Sequence, residues 1–199
     1  MIFYKKSIHK KTRKLPYNLE NPIDNLLVDI ADKIDPYFHS MGLTPNVITT
    51  FSLITGVLMN YFYWKKNYYI AALMGILSYF FDCMDGNFAR KYHMVTEFGD
   101  SYDHIKDILV VVSLVILFLN NNTSNNFKIY ACGLLLLLFI GTVYHLACQE
   151  RYIQKYKKLE ISKYLNNFSK DCNKTEMSYT RYVGSGTFYL FLVLVIIFH

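Results

Sequence analysis

Charged residues are scarce in this 199-residue chain, where Asp, Glu, Lys and Arg make up 18%. Soluble domains carry roughly 25%. Three stretches, 108–119, 130–148 and 184–198, have no charged residue at all, while 53% of the whole chain is hydrophobic. This pattern excludes a disordered chain and disfavours an ordinary soluble domain. It indicates an integral membrane protein.

Cysteine and proline are also few, with four of each. The cysteines show no C-x-x-C pairing, so the sequence indicates neither a disulfide framework nor a zinc site, and we expect reduced thiols. They are Cys83, Cys132, Cys148 and Cys172. Every proline precedes residue 46. The apolar stretches are therefore expected to form helices without proline kinks.

Residues 1–46 are predicted to form a basic tail and an interfacial amphipathic helix. The first 14 residues contain six Lys or Arg and no acid, and Leu15-Pro16-Tyr17-Asn18 follows where a signal peptide would need an apolar run. The tail is interpreted as binding an anionic membrane surface, with a mitochondrial presequence as the alternative. Asn21-Pro22 then predicts a helix start. Apolar residues recur at three and four positions from Ile23 to Ile34, and acidic residues including Asp32 and Asp35 take the other side, which favours a helix lying flat at the interface.

Residues 47–199 are predicted to form the transmembrane domain. The expected spans number five, and residues 149–180 could hold a sixth but are interpreted as a cytoplasmic amphipathic segment because of their charge. The five lie near Val47–Trp64, Tyr68–Phe81, Asp103–Leu119, Phe127–Ala147 and Tyr182–Phe198. With the N-terminus in the cytoplasm, 18 of the 21 Lys and Arg fall on the cytoplasmic side. This bias predicts a cytoplasmic N-terminus. The fold class is thus an all-α, multi-pass membrane protein.

Four aspartates surround the predicted loop between the second and third spans. Asp82 and Asp85 are three residues apart, and Asp103 and Asp107 are four apart, so each pair shares one helix face. Because the two helices are antiparallel neighbours, their ends can gather all four carboxylates at membrane depth. Uncompensated, such a cluster would cost several kcal/mol. A cation is therefore expected there.

The expected cation is Mg²⁺ or Mn²⁺, with Ca²⁺ as a further option, because the ligands are all oxygen. Paired metals held by bridging aspartates stabilise charge on a transferring phosphoryl group. Gly86 allows close approach to the backbone, and Arg90 offers a bidentate phosphate contact. The residues alone thus predict metal-assisted phosphoryl transfer at a membrane surface. Interfacial helix caps are the alternative reading for any single aspartate.

The same residues resemble the CDP-alcohol phosphatidyltransferase family. That family carries D-x-x-D-G-x-x-A-R, eight further residues, and G-x-x-x-D-x-x-x-D. This chain fits at every fixed position: Asp82, Asp85, Gly86, Ala89, Arg90, Gly99, Asp103 and Asp107. Thr44-Pro45-Asn46-Val47-Ile48-Thr49 is similar to the family's P-N-x-x-T element. The resemblance covers about residues 44–107, and the family usually has six spans where five are counted here.

The resemblance implies a role for each matching residue. All four aspartates would bind two metal ions, and Asp107 would also remove the proton of the acceptor alcohol. The nucleotide contacts it implies are Asn46, Thr49, Gly86, Ala89, Arg90, Thr96 and Gly99. The alcohol would attack the phosphorus nearer the donor's lipid or alcohol group, releasing CMP. The resemblance also implies a homodimer. In a eukaryote, the membrane would be of the endoplasmic reticulum type.

The substrates are left open by the motif. Phe98-Gly99 resembles the phosphatidylinositol and phosphatidylglycerophosphate synthases, and the short chain also favours CDP-diacylglycerol as donor. Tyr102-Asp103-His104 instead resembles the choline and ethanolamine phosphotransferases, which join a CDP-aminoalcohol to diacylglycerol. A catalytically silent membrane protein of the same fold is the remaining alternative. Nucleic acid is not an expected partner, because the cationic residues line the predicted membrane face.

Overall fold

The computed structural model describes residues 13–157 and 172–199, and all of its regular structure there is helical. Seven α-helices and one 3₁₀ turn, Arg181–Val183, make up the described chain. The α-helices are α1 (Pro22–Ser40), α2 (Pro45–Trp64), α3 (Tyr68–Lys91), α4 (Glu97–Asn120), α5 (Asn125–Lys157), α6 (Lys174–Thr180) and α7 (Ser185–Ile197). The predicted all-α class is thereby confirmed. Most of the predicted basic tail, and residues 158–171 of the predicted amphipathic segment, lie outside the described residues.

Three segments of the described chain are long and apolar enough to cross a membrane: Pro45–Trp64, Asn125–Ile153 and Lys174–Ile197. They coincide with the first, fourth and fifth predicted spans. The second and third predicted spans lie within α3 and α4, which are helical throughout but do not belong to this apolar set. The structure therefore supports a membrane protein, and the count of five spans stays a prediction.

Helix α1 begins where the sequence indicated. The Asn21 side chain accepts a hydrogen bond of 2.9 Å from the backbone N–H of Ile23, which is an N-cap, and Pro22 opens the helix. The helix continues to Ser40 and includes Pro36. Its polar side is not turned to water throughout, since Asp35 is fully buried, whereas Leu26 on the apolar side is 59% exposed.

The described chain divides into two compact units, and the first contains residues 13–26, 133–157 and 172–190. A buried polar cluster stabilises it. Asn21 donates to the carbonyl of Arg181 at 2.6 Å and to the Thr187 hydroxyl at 2.9 Å, and His145 lies 2.9 Å from the Thr180 hydroxyl. A disulfide joins Cys148 to Cys172 in this unit, so the expectation of reduced thiols was wrong for these two residues. Cys83 and Cys132 are not part of a disulfide, as expected.

The second unit contains Leu27–Cys132 and Phe191–His199, and helices α2, α3 and α4 lie within it. Small residues allow their backbones to approach closely, as is typical of membrane helices. The hydroxyls of Ser52 and Ser78 each donate to the other residue's carbonyl at 2.9 Å. A Cβ on Gly56 would lie 2.9 Å from both methyl groups of Val110. We call these four residues the α2–α3–α4 seam.

Short connections join α2, α3 and α4 in sequence, and α2 packs against both α3 and α4. Three residues, 65–67, join α2 to α3, and five, 92–96, join α3 to α4. Lys66 and His93 take left-handed backbone conformations in these links, with φ of 58° and 57°. The second link places the C-terminal end of α3 beside the start of α4.

Candidate active site

The aspartates of α3 and α4 lie together in the second unit. Carboxylate oxygens of Asp82, Asp85 and Asp103 all lie within 4.8 Å of one another. Asp107 joins the same group, because the ammonium of Lys106 lies 2.9 Å from both Asp103 Oδ1 and Asp107 Oδ1. We call these four residues the carboxylate cluster. The fold thus brings together the four aspartates that the helical spacing predicts to converge.

Asp85 is positioned by α2. It is buried, and its Oδ2 accepts a hydrogen bond of 2.6 Å from the Thr49 hydroxyl. Thr49 itself lies one turn into α2, which begins at Pro45 after the N-cap residue Thr44. A hydrogen bond to the ionised carboxylate fixes its orientation and stabilises its charge. Thr49 was expected to contact the nucleotide, but in the structure its hydroxyl donates to the Asp85 carboxylate.

Several residues expected to contact the nucleotide lie close to the backbone of two glycines, Gly86 and Gly99. A Cβ on Gly86 would lie 3.2 Å from Nη1 of Arg90, so this guanidinium covers the glycine backbone. A Cβ on Gly99 would lie 2.9 Å from Asn46 Oδ1 and 3.0 Å from the Thr96 hydroxyl. Glycine at these positions lets polar side chains lie against the main chain.

Thr96 and Gly99 also begin helix α4. The Thr96 side chain accepts a hydrogen bond of 3.0 Å from the backbone N–H of Gly99, which makes Thr96 the N-cap. Asn46 of α2 thus lies beside Thr96 and Gly99 at the start of α4, the helix that also carries Asp103. His104, in contrast, is exposed, and its Nδ1 lies 2.7 Å from the carbonyl of Asp100.

Lys106 is the main residue of the site that the sequence reasoning missed. Its side chain is 1% exposed, and its ammonium contacts Asp82, Asp103 and Asp107. Ser52 of α2 completes the group, with its hydroxyl 3.1 Å from Lys106 Nζ. The sequence did contain a signal, because Asp103 and Lys106 are three apart and share a helix face.

A second polar group ties α1 to the end of α3. Buried Asn87 donates to Asp32 at 3.0 Å and to Asp35 at 3.1 Å, and Lys91 forms ion pairs with the same carboxylates at 3.1 and 3.0 Å. Burial raises the pKa of Asp35, against the opposing effect of Lys91. Burial also lowers the pKa of Lys91, but Asp35 and Asp32 outweigh it and raise that pKa overall. Two acids on the predicted polar side of α1 therefore anchor this helix to α3.

The residues of the carboxylate cluster fit a hard divalent cation. Their ligand atoms are all oxygen, and three carboxylates converge within one coordination sphere. In addition, Asp103 Oδ1 is buried, and the Lys106 ammonium lies 2.9 Å from it. A buried carboxylate oxygen of this kind has coordination capacity to offer a metal.

Comparison with known proteins relates the site to a family. The family model for CDP-alcohol phosphatidyltransferases matches residues 42–169. An uncharacterized protein of Aquifex aeolicus is 30% identical over 79 residues, covering 40% of this chain and 40% of that protein. An archaetidylinositol phosphate synthase of Pyrococcus horikoshii is 29% identical over 84 residues, covering 42% of this chain and 45% of the relative. The chain thus spans less than half the length of these curated relatives, and no solved structure matches it. With more than half of its residues matched by the family model, the chain belongs to the CDP-alcohol phosphatidyltransferase family.

Proposed function

We propose that this protein is a membrane-embedded phosphotransferase of phospholipid synthesis. It transfers a phosphatidyl or phospho-alcohol group from a CDP-linked donor, with CDP-diacylglycerol preferred, to an alcohol acceptor. The observation that carries the proposal is the convergence of Asp82, Asp85 and Asp103, with Asp107 beside them, in a chain of this family. The name of the Pyrococcus relative supports a phospholipid product.

The chemistry follows from the carboxylates and from the groups around them. When bound, two Mg²⁺ or Mn²⁺ ions would stabilise negative charge on the phosphoryl oxygens, and the four aspartates are the residues that would hold them. Asp107 takes the proton of the acceptor hydroxyl. At the same time, the oxygen of that hydroxyl forms a bond to the phosphorus nearer the lipid. The bond from that phosphorus to CMP breaks, and CMP leaves with the bridging oxygen.

Residues at the starts of α2 and α4 and near the end of α3 hold the nucleotide. Arg90 is suited to the diphosphate because a guanidinium binds phosphate oxygens bidentately. Gly86, Ala89 and Gly99 leave room for the ligand beside the backbone. Asn46, Thr49 and Thr96 supply hydroxyl and amide groups.

Membrane placement completes the proposal. The bias of Lys and Arg favours a cytoplasmic N-terminus and a cytoplasmic active site, with five spans or six. The exposed Leu26 and Ile30 of α1 support its placement at the membrane surface, with the apolar side in the headgroup region. A homodimer, in a membrane of endoplasmic reticulum type in a eukaryote, belongs to the same proposal.

The test is CMP release by the detergent-purified chain with Mg²⁺ or Mn²⁺. Donors are CDP-diacylglycerol, CDP-choline and CDP-ethanolamine, each combined with inositol, inositol phosphate, glycerol 3-phosphate, serine and diacylglycerol. We expect release with CDP-diacylglycerol and one acceptor. Release only from a CDP-aminoalcohol with diacylglycerol would instead assign the choline and ethanolamine type of reaction.

Two variants make the test specific. Asp107→Asn should abolish CMP release, because the amide can neither take the proton nor carry the negative charge. Asp100→Asn is the matched control, since that carboxylate is 78% exposed and lies outside the carboxylate cluster, and it should leave release within about twofold of wild type. Silence of the folded wild-type protein across the whole panel would contradict the proposed function.

A further inference from the structure

Lys106 occupies the position where a cation is needed in the carboxylate cluster. Its ammonium makes a close contact with Asp82 and lies 2.9 Å from Asp103 and 2.9 Å from Asp107. The side chain is 1% exposed, so water contributes little to its charge balance. The Ser52 hydroxyl, 3.1 Å away, is the fourth oxygen around Nζ. An ammonium has three protons to donate, and all of its near neighbours here are oxygen atoms.

Two overlapping sets of carboxylates result. Asp82, Asp85 and Asp103 form the set whose oxygens converge within 4.8 Å. Asp82, Asp103 and Asp107 form the set that contacts Lys106. Two aspartates are therefore common to the ammonium and to a divalent ion. Like charges so close together in a buried site repel strongly, so the two cations compete for the shared oxygens.

We propose that Lys106 is a resident counter-ion of the carboxylate cluster, which holds it together without metal and yields the shared aspartates when divalent ions bind. The inference rests on the proposed function in that it assumes the cluster is a metal site. Lys106 is thus a positioning residue that sets metal affinity. Removal of one partner from a buried ion pair leaves uncompensated charge. A cluster without Lys106 should consequently bind a divalent ion more tightly and be less stable without one.

The direction of the affinity change separates this role from the obvious alternative. If Lys106 arranged the carboxylates for the metal and stayed in place as a favourable support, its removal would weaken metal binding. If it competes, its removal strengthens metal binding. Both roles predict a loss of stability without metal, so stability alone does not distinguish them.

The experiment uses Mn²⁺ as the probe and the full chain in detergent. Free Mn²⁺ is measured by electron paramagnetic resonance during titration, and thermal unfolding is followed with and without Mn²⁺. Lys106→Met keeps the length of the side chain and removes the charge. We expect its Mn²⁺ dissociation constant to fall at least about tenfold. We also expect a lower melting temperature without metal, recovered when Mn²⁺ is added.

Lys91→Met is the matched control, because it also removes a lysine that is paired with two buried aspartates, but outside the carboxylate cluster. It should lower the melting temperature and leave the Mn²⁺ dissociation constant within about twofold of wild type. An equal tightening of Mn²⁺ binding in this control would overturn the proposal, since the effect would then be one of general charge.

The remaining outcomes are decisive as well. Unchanged or weaker Mn²⁺ binding by both Lys106→Met and Lys106→Gln overturns the role of Lys106, while wild-type CMP release would leave the proposed function intact. A variant that folds only with Mn²⁺ supports the proposal, and one that stays unfolded in millimolar Mn²⁺ contradicts it. A wild-type protein that binds no Mn²⁺ overturns both proposals. Tight Mn²⁺ binding by Lys106→Met with no CMP release from wild type supports the counter-ion and contradicts the proposed function.

Discussion

The hydrogen bond between Thr49 and Asp85 is expected to control how well the carboxylate cluster binds a divalent ion. The hydroxyl donates at 2.6 Å to a carboxylate that is buried, so water does not replace this bond when it is removed. Thr49→Val deletes the donor and keeps the volume. A hydrogen bond to a charged group contributes about 1.5–3 kcal/mol. Loss of such a partner behind a metal ligand costs about 10–100-fold in metal affinity.

The hydrogen-bond free energy and the expected change in metal affinity agree, because a tenfold change in a dissociation constant corresponds to about 1.4 kcal/mol. We therefore expect Thr49→Val to raise the Mn²⁺ dissociation constant by about 10–100-fold, measured by the same titration. Thr49→Ser keeps the hydroxyl and should stay near wild type. Thr50→Val removes the neighbouring hydroxyl, which contacts the Asn46 carbonyl and Tyr102 rather than an aspartate, and should also stay near wild type.

The comparison of valine with serine at position 49 decides the question. If both variants bind Mn²⁺ as wild type does, the hydrogen bond does not orient Asp85 for the ion, and the reasoning is wrong. If both lose affinity equally, shape rather than the hydroxyl is what matters. Only a loss confined to Thr49→Val agrees with the geometry.

Three further predictions follow from close contacts. Gly56→Ala should lower stability by about 1–3 kcal/mol because its Cβ would lie 2.9 Å from Val110, and Val110→Ala in the same chain should restore part of the melting temperature. Lys91→Met should cost about 3–5 kcal/mol, and adding Asp35→Asn should cost less than the sum, as a double-mutant cycle by thermal unfolding would show. Gly99→Ala should raise the KM for the CDP-linked donor about tenfold or more. The reason is that the added methyl group would lie 2.9 Å from Asn46 Oδ1 and 3.0 Å from the Thr96 hydroxyl, and the melting temperature serves as the control.

The convergence of the aspartates was predictable because it depends on two local rules. Spacings of three and four place each pair on one helix face, and a short link makes successive helices antiparallel neighbours. Both rules operate within about 25 residues of sequence, from Asp82 to Asp107. The start of α1 at Asn21 was predictable for the same reason, since capping involves residues only two apart.

The surroundings of α1 were not predictable, because periodicity shows which residues share a face but not what covers that face. The periodicity places Asp32 and Asp35 on the polar side of the helix, but it does not show that they pair with Asn87 and Lys91, more than 50 residues away. The pairing of Cys148 with Cys172 is hidden for a similar reason, since spacing alone does not fix which cysteines meet.

The two aspartates that α3 contributes to the carboxylate cluster are each held by a different neighbouring helix, and this links helix packing to chemistry. Asp85 of α3 takes its hydrogen bond from Thr49 of α2, while Asp82 of α3 takes its counter-ion from Lys106 of α4. Both donors, Thr49 and Lys106, are buried, so neither reaches its carboxylate from the solvent-exposed surface.

The α2–α3–α4 seam sets the distances on which those two donors depend. Ser52 is the shared residue, because its hydroxyl donates to the Ser78 carbonyl and also lies 3.1 Å from Lys106 Nζ. Gly56, one turn further along α2, keeps α2 and α4 close enough for that contact. Bulk added to the seam should therefore act twice, lowering stability through overpacking and moving the ammonium and the hydroxyl away from their carboxylates. The small residues between these helices are thus part of the candidate active site, although none of them would touch a substrate.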